Sequence, residues 1–290
     1  MAENCASIEE IPIDDIEMEV EPFARGDIGK VYMAKWRNQD VVIKVIKAES
    51  EEEERAVKCE VYLNLRLSHP NIIRLLGITT VKSRKLGIVM EKAEHGSLDQ
   101  WIGKMDREKQ TQIALGIIDG LEYVHSQHVI HRSIKPSNIL MFGPKNDMIP
   151  KIADFGVSKV SERVTVQTKV GEDLYMAPEV RVHSQYGFTA DIFSLAMMLF
   201  EIFNEQLVRQ ASVEVKRFIM GLQSGRVGNI PESCKVPEYL RNVIEQGWNN
   251  NPEDRPPLSE YRSTLRRGKI FFLSAKLFNI IINYMALSAF

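Results

Sequence analysis

Cysteine is scarce. Of 290 residues only Cys5, Cys59 and Cys234 carry a thiol, an odd and scattered set that makes neither a disulfide framework nor zinc-ligand spacing. A reducing, cytoplasmic setting is the expectation. Net charge is also small, −2 from 37 basic and 39 acidic residues, which lacks the basic stripe of a nucleic-acid binder. The opening "MAENCASIEE" has no basic-then-apolar order, so it does not read as a secretory leader. Basic residues are missing altogether before Arg25, a stretch holding eight carboxylates. That stretch and the "ESEEEE" run over Glu49–Glu54 read as solvated faces, with a docking surface for a basic partner as the other reading.

What is present falls into two halves. "KVYMAKW" and "DVVIKVIKA", separated by "RNQ", are β-branched runs that predict neighbouring antiparallel strands. "EEEERAVKCEVYLNLRL" places Val57, Val61 and Leu65 at helical spacing, and "NIIRLLGITTV" and "KLGIVMEKA" return to strand. Beyond Glu91–Gly96 the pattern turns helical. "EKQTQIALGIIDGLEYVHSQ" puts Ile113, Ile117, Leu121 and Val124 on one face. "TADIFSLAMMLFEIF" is apolar nearly all round, the pattern of a helix buried inside a domain, and "PEYLRNVIEQGW" is a further amphipathic helix. The expected fold is α+β and bilobal: a small antiparallel β lobe with one helix, then a larger, mainly helical lobe. The expected division is an acidic leader over 1–16, a small lobe over 17–92, a large lobe over 93–266 and a hydrophobic tail over 267–290.

Chemistry gathers in short motifs. "ARGDIGKV" fits a glycine-rich loop between strands, in which Gly26 and Gly29 would let backbone N–H groups approach phosphates; a plain hairpin turn is the alternative. "VVIK" follows, with Lys44 as a fixed cation, and Glu60 lies on the next helix where it could pair with it. Taken in order with "HPNI", "HRSIKPSN", "DFG", "MAPE" and "PEDRP", the chain resembles a protein kinase from about Ile16 to Leu265. "GKVYMAKW", "HPNIIRLLG" and "GWNNNPEDRP" place the resemblance in the tyrosine-kinase-like group.

The resemblance implies ATP and Mg2+ as cofactors and a role for each motif. Lys44 would contact the α- and β-phosphates, oriented by Glu60. Met90 would be the gatekeeper of the adenine pocket, Glu91 to Ala93 its hinge, and Val31 and Leu140 would sandwich the ring. Asn138 and Asp154 would hold magnesium. Lys135 would steady the transferring phosphate and implies serine or threonine acceptors. Asp191 would anchor the catalytic loop, and Glu179 and Arg255 would form a structural ion pair. Ser158, Ser161, Thr165 and Thr168 are candidate phosphorylation sites, with Arg132 as the receiving cation.

Three departures from the family pattern matter. Ser133 stands where the family carries the aspartate that accepts the substrate proton, and an aliphatic hydroxyl is no base at neutral pH. Val42 replaces the alanine over adenine, adding bulk against the ring. Glu172 stands where a threonine precedes "MAPE", so a carboxylate occurs where a hydroxyl is expected. The favoured expectation is a kinase-like signalling module that binds ATP with magnesium, transfers weakly or not at all, and works through protein partners. The alternative is an active serine/threonine kinase acting on protein substrates with Glu172 as a relocated base. The tail "IFFLSAKLFNIIINYMALSAF" over 270–290 reads as a membrane contact, as a helix packed on protein, or as a segment without a role.

Overall fold

A computed structural model describes residues 10–25, 29–82, 84–154, 172–182, 187–223 and 228–270; the side chains of Glu60, Leu63, Glu172, Asp173, Arg181, Val182 and Gln223 are also outside that description. Its small lobe is an antiparallel sheet built on β1 (Ile16–Met18), β2 (Ala24–Arg25), β3 (Gly29–Trp36), β4 (Gln39–Lys47), β5 (Leu75–Lys82) and β6 (Lys85–Glu91). The strand order is β1-β3-β4-β6-β5, with β2 paired on β3. The β3–β4 hairpin turns on Arg37 and Asn38, whose φ values of 50° and 61° are the left-handed pair of a two-residue turn. Gly29 is required here for packing as well: a Cβ on it would lie 2.3 Å from the Val45 carbonyl oxygen of β4.

Helix α1 (Glu51–Leu65) opens with Ser50 accepting from the Glu53 N–H (3.1 Å), while Glu53 Oε2 accepts from the Glu49 N–H (2.6 Å). Four glutamates in its first turn face the positive end of the helix dipole. Val57 and Val61 pack on one face of the sheet with Ile46, Ile78, Leu86 and Ile88. The opposite face is covered by Ile11 and Ile16 with Ala34, Val41, Ile43 and Val89. Ile11 and Ile16 of the expected leader thus supply core to the small lobe, which its acidic composition does not reveal.

The large lobe centres on α2 (Arg107–Ser126), the hairpin β7 (Ile139–Phe142) and β8 (Ile149–Ile152), then α3 (Pro178–Val182), α4 (Thr189–Asn204), α5 (Val213–Gln223), α6 (Glu238–Gly247) and a final helix over 258–270. Asp106 caps α2, accepting from the Lys109 N–H (2.9 Å), and Ile113, Ile117, Leu121 and Val124 are all buried. Every residue of α4 from Ala190 to Asn204 is buried, as its all-round apolar pattern predicts. The last helix runs through 267–270, with Gly268 buried. Residues 271–290 lie outside the described residues, and among the described ones no helix is long and apolar enough to cross a membrane. The lobes join where the Ile73 N–H donates to the Ile152 carbonyl (2.9 Å) and the Ile152 N–H to that of Asn71 (2.9 Å).

Candidate active site

The cleft between the lobes is assembled from strand ends and one buried loop. Lys44 lies in β4, in register with Val31 of β3 and Ile88 of β6. Its Nζ is paired with Asp154 Oδ1, although 110 residues separate the two. Asp154 leaves β8 in a left-handed conformation, φ 68°. Burial drives its carboxyl toward the neutral form, but the Lys44 charge and hydrogen bond, aided by Lys135, outweigh that and hold it below the ordinary carboxylate range.

The loop "HRSIKPSN" is braced from below. Asp191, fully buried in α4, accepts from the His131 and Arg132 N–H groups (2.8 Å each) and from His125 Nε2 (2.9 Å). His131 is itself buried. Its Nδ1 accepts from the Ser133 N–H (3.2 Å), so the ring proton sits on Nε2 and is donated to the Ala153 carbonyl (3.0 Å). Burial lowers its pKa, and with Nδ1 and Nε2 both engaged the ring serves as a brace for the loop. Asn138 then donates from Nδ2 to both the carbonyl (2.8 Å) and the hydroxyl (2.9 Å) of Ser133.

The wall of the cleft beneath the sheet is apolar. Val42 is 8% exposed and pairs with Met33 and Met90; behind Met90 a cavity of about 30 Å3 is lined by Val61, Asn64, Ile73, Leu75, Ile88 and the Lys44–Asp154 pair. Leu140 bridges to Ser97, and Ala93 packs at the edge of the large-lobe core. Glu91 carries an unforeseen contact: Lys151 Nζ donates to both of its carboxylate oxygens (2.7 and 2.8 Å), and the Arg74 N–H donates to Oε1 (2.8 Å). Sixty residues separate Glu91 from Lys151, and no spacing signal links them. Asn64, a buried amide on the apolar stripe of α1, is the other site residue that sequence reasoning missed.

Away from the cleft, Arg255 forms a forked pair with Glu179 (2.6 and 2.8 Å) and donates to the carbonyls of Thr189 and Asn249. Gly26, Ser158, Ser161, Thr165 and Thr168 lie outside the described residues, as do the side chains of Glu60 and Glu172. The structure therefore brings Lys44, Asp154, Asn138 and Ser133 to one cleft, with Val42 and Met90 on its wall.

A two-lobed α+β chain with a lysine–aspartate pair under a sheet and an asparagine-braced loop defines a class, and the comparisons agree with it. Residues 19–264 match the protein kinase domain. The chain is 30% identical to serine/threonine-protein kinase STY17 of Arabidopsis thaliana, over 87% of this chain and 45% of that protein. It is 28% identical to serine/threonine/tyrosine-protein kinase HT1 of the same plant, over 84% of this chain and 64% of that one. Identity to probable serine/threonine-protein kinase gdt2 of Dictyostelium discoideum is 30%, over 82% of this chain and 15% of that one. The chain belongs to the protein kinase domain family, with relatives of the tyrosine-kinase-like type. It spans less than half the length of STY17 and less than two thirds of HT1.

Proposed function

We propose that this domain binds ATP with magnesium and passes the phosphoryl group to protein hydroxyls slowly or not at all, acting chiefly through protein partners in a signalling complex. The observation that carries the reading is the state of Ser133: its hydroxyl accepts from Asn138 Nδ2 at 2.9 Å, where a substrate proton would need a carboxylate. The residues present fit the cofactors. Asp154 is held ionised, and the Asn138 amide has its nitrogen engaged with its oxygen as the remaining acceptor; together they are the hard oxygen donors that magnesium takes. Lys44 would neutralise phosphate charge, and Lys135 would do the same at the transferring group. Val31, Val42, Met90 and Leu140 would enclose the base, and the Glu91–Ala93 backbone would bond it. Bound nucleotide supplies the γ-phosphoryl group; the chain's part is to orient it and to offer the acceptor a proton sink, and Ser133 offers none.

Magnitudes separate weak from absent. A positioned base contributes roughly 10²–10⁴-fold, and kinases turn over at about 1–100 s⁻¹. Without the base, about 10⁻⁴ to 1 s⁻¹ remains. Val42 adds a second cost, since crowding by its extra methyls is worth about 1–3 kcal/mol, one or two decades of affinity. A cytoplasmic setting is part of the same reading, supported by three scattered cysteines without disulfide-framework spacing; a membrane contact through 270–290 stays with the tail.

Thermal stabilisation by ATP with Mg2+, present in wild type and lost in Lys44→Met, is the expected result, with Val42→Ala tightening binding about tenfold. Radiolabelled transfer to peptide should stay below about 1 s⁻¹. Transfer at ordinary kinase rates that vanishes in Lys44→Met would overturn the weak-transfer reading. A further loss of that activity in Glu172→Gln would favour the relocated base.

A further inference from the structure

The segment entering β1 is fastened to the sheet at its open edge. β5 is the edge strand, and its Ile78 carbonyl accepts from the Ile11 N–H (2.8 Å), so the segment occupies a ladder position that an edge leaves unpaired. Ile11 is 8% exposed, and its Cδ1 lies where a Cβ on Gly77 would fall (2.6 Å). Its side chain belongs to the cluster on one sheet face, whereas α1 belongs to the cluster on the other. Glu10 links the two. Its Oε2 accepts from the Thr80 hydroxyl on β5 (2.8 Å), and its Oε1 pairs with Lys58 Nζ on α1 (2.5 Å). Lys58 also pairs with Glu54, one turn earlier (3.1 Å).

This pair gives α1 a directional hold on β5 in addition to its apolar packing. Among its described side chains only Val57, Val61 and Asn64 are buried, a narrow stripe along which a helix can slide or roll. Dispersion and apolar burial are nondirectional. An ion pair anchored at its far end by a strand hydroxyl fixes one position on the helix. Two residues beyond Lys58, the same helix carries Glu60, the residue assigned to orient Lys44.

We propose that Glu10 is a positioning residue: a clasp that passes round the β5 edge, grips α1 through Lys58 and so sets the register of α1 against Lys44. The inference rests on the reading of Lys44 as the nucleotide anchor only for its functional consequence, not for the clasp itself. Glu10 does not touch the cleft.

The test uses the full chain with Glu10→Gln and Glu10→Lys, and Glu17→Lys as an exposed control on the same segment. Hydrogen exchange reports α1 and α4 separately, and titration with ATP plus Mg2+ reports the cleft. The expected result is α1 exchange about three- to fivefold faster in Glu10→Gln, the scale of one partly exposed pair, and faster still in Glu10→Lys. Exchange in α4 should be unchanged and the Glu17→Lys control silent, with nucleotide binding weakened in parallel with α1. Unchanged α1 exchange overturns the clasp. Equal acceleration in α1 and α4 overturns it too, since that is global destabilisation. If wild type binds no nucleotide while α1 still loosens in Glu10→Gln, the clasp stands and the nucleotide reading fails.

Discussion

Tyr175 donates its hydroxyl hydrogen to Oε2 of Glu201 at 2.5 Å, joining the segment before α3 to the last turn of buried α4. Glu201 is 1% exposed, and its Oε1 accepts from the Val208 N–H (2.7 Å). Burial pushes this carboxyl up to about 7, with Asp99 adding to the rise, while the Tyr175 and Val208 bonds and the Arg209 charge oppose it. The folded value therefore lies above the unfolded value near 4.5, and the folded state holds the proton more tightly. Stability from this group is complete below about pH 4.5 and is lost as pH rises through about 7. The loss is on the order of 3 kcal/mol. His69 and His131, both lowered by burial, act in the opposite sense, adding stability as pH rises toward the ordinary imidazole value. Urea unfolding of wild type and Glu201→Gln at pH 5 to 8 isolates the group: the difference between the two should shift toward the variant as pH rises. A pH-independent difference would assign the titration elsewhere.

Ser133 yields a gain-of-function expectation. Replacing it with aspartate restores a proton acceptor beside Asn138, whose Nδ2 bonds a carboxylate as readily as a hydroxyl. Single-turnover transfer should rise by roughly 10²–10⁴-fold in Ser133→Asp, whereas Ser133→Ala should sit within about twofold of wild type because the hydroxyl is no base. A large drop in Ser133→Ala would show that the serine takes part in the chemistry.

Arg255 is a stability residue. Its guanidinium has no exposed surface, is forked onto Glu179, bonds two carbonyls and lies 5.3 Å from the Phe193 ring centroid. Lysine keeps the charge but loses the planar fork, leaving the Glu179 carboxylate and two carbonyls short of donors. Arg255→Lys should destabilise by about 3–5 kcal/mol, read as a lower urea midpoint with an unchanged slope. A loss below about 1 kcal/mol would mean that the pair is no better than a surface bridge.

Much of the architecture was legible in local pattern. Alternating β-branched runs around "RNQ" became β3 and β4, and the apolar span at 189–203 became the buried α4. Those signals work because a strand or helix writes its own period into the residues it buries. Helix α5 and the helix over 258–270 are absent from the expected elements, although Val215, Ile219 and Leu222, and Leu258, Tyr261 and Leu265, recur at helical spacing. The leader over 1–16 differs for another reason: its five carboxylates dominate its composition, while Ile11 and Ile16 pack on the sheet.

The sequence alone determined the order of the motifs, the two-lobed plan and the substitution at position 133, because these depend on residue identity and short-range spacing. Tertiary structure decided which distant groups meet: Lys44 with Asp154, Lys151 with Glu91, Tyr175 with Glu201, and Glu10 with Lys58. Each of these is a contact between charged or polar groups far apart in the chain. Their strength depends on distance and on exclusion of water, two quantities that exist only once the chain has folded.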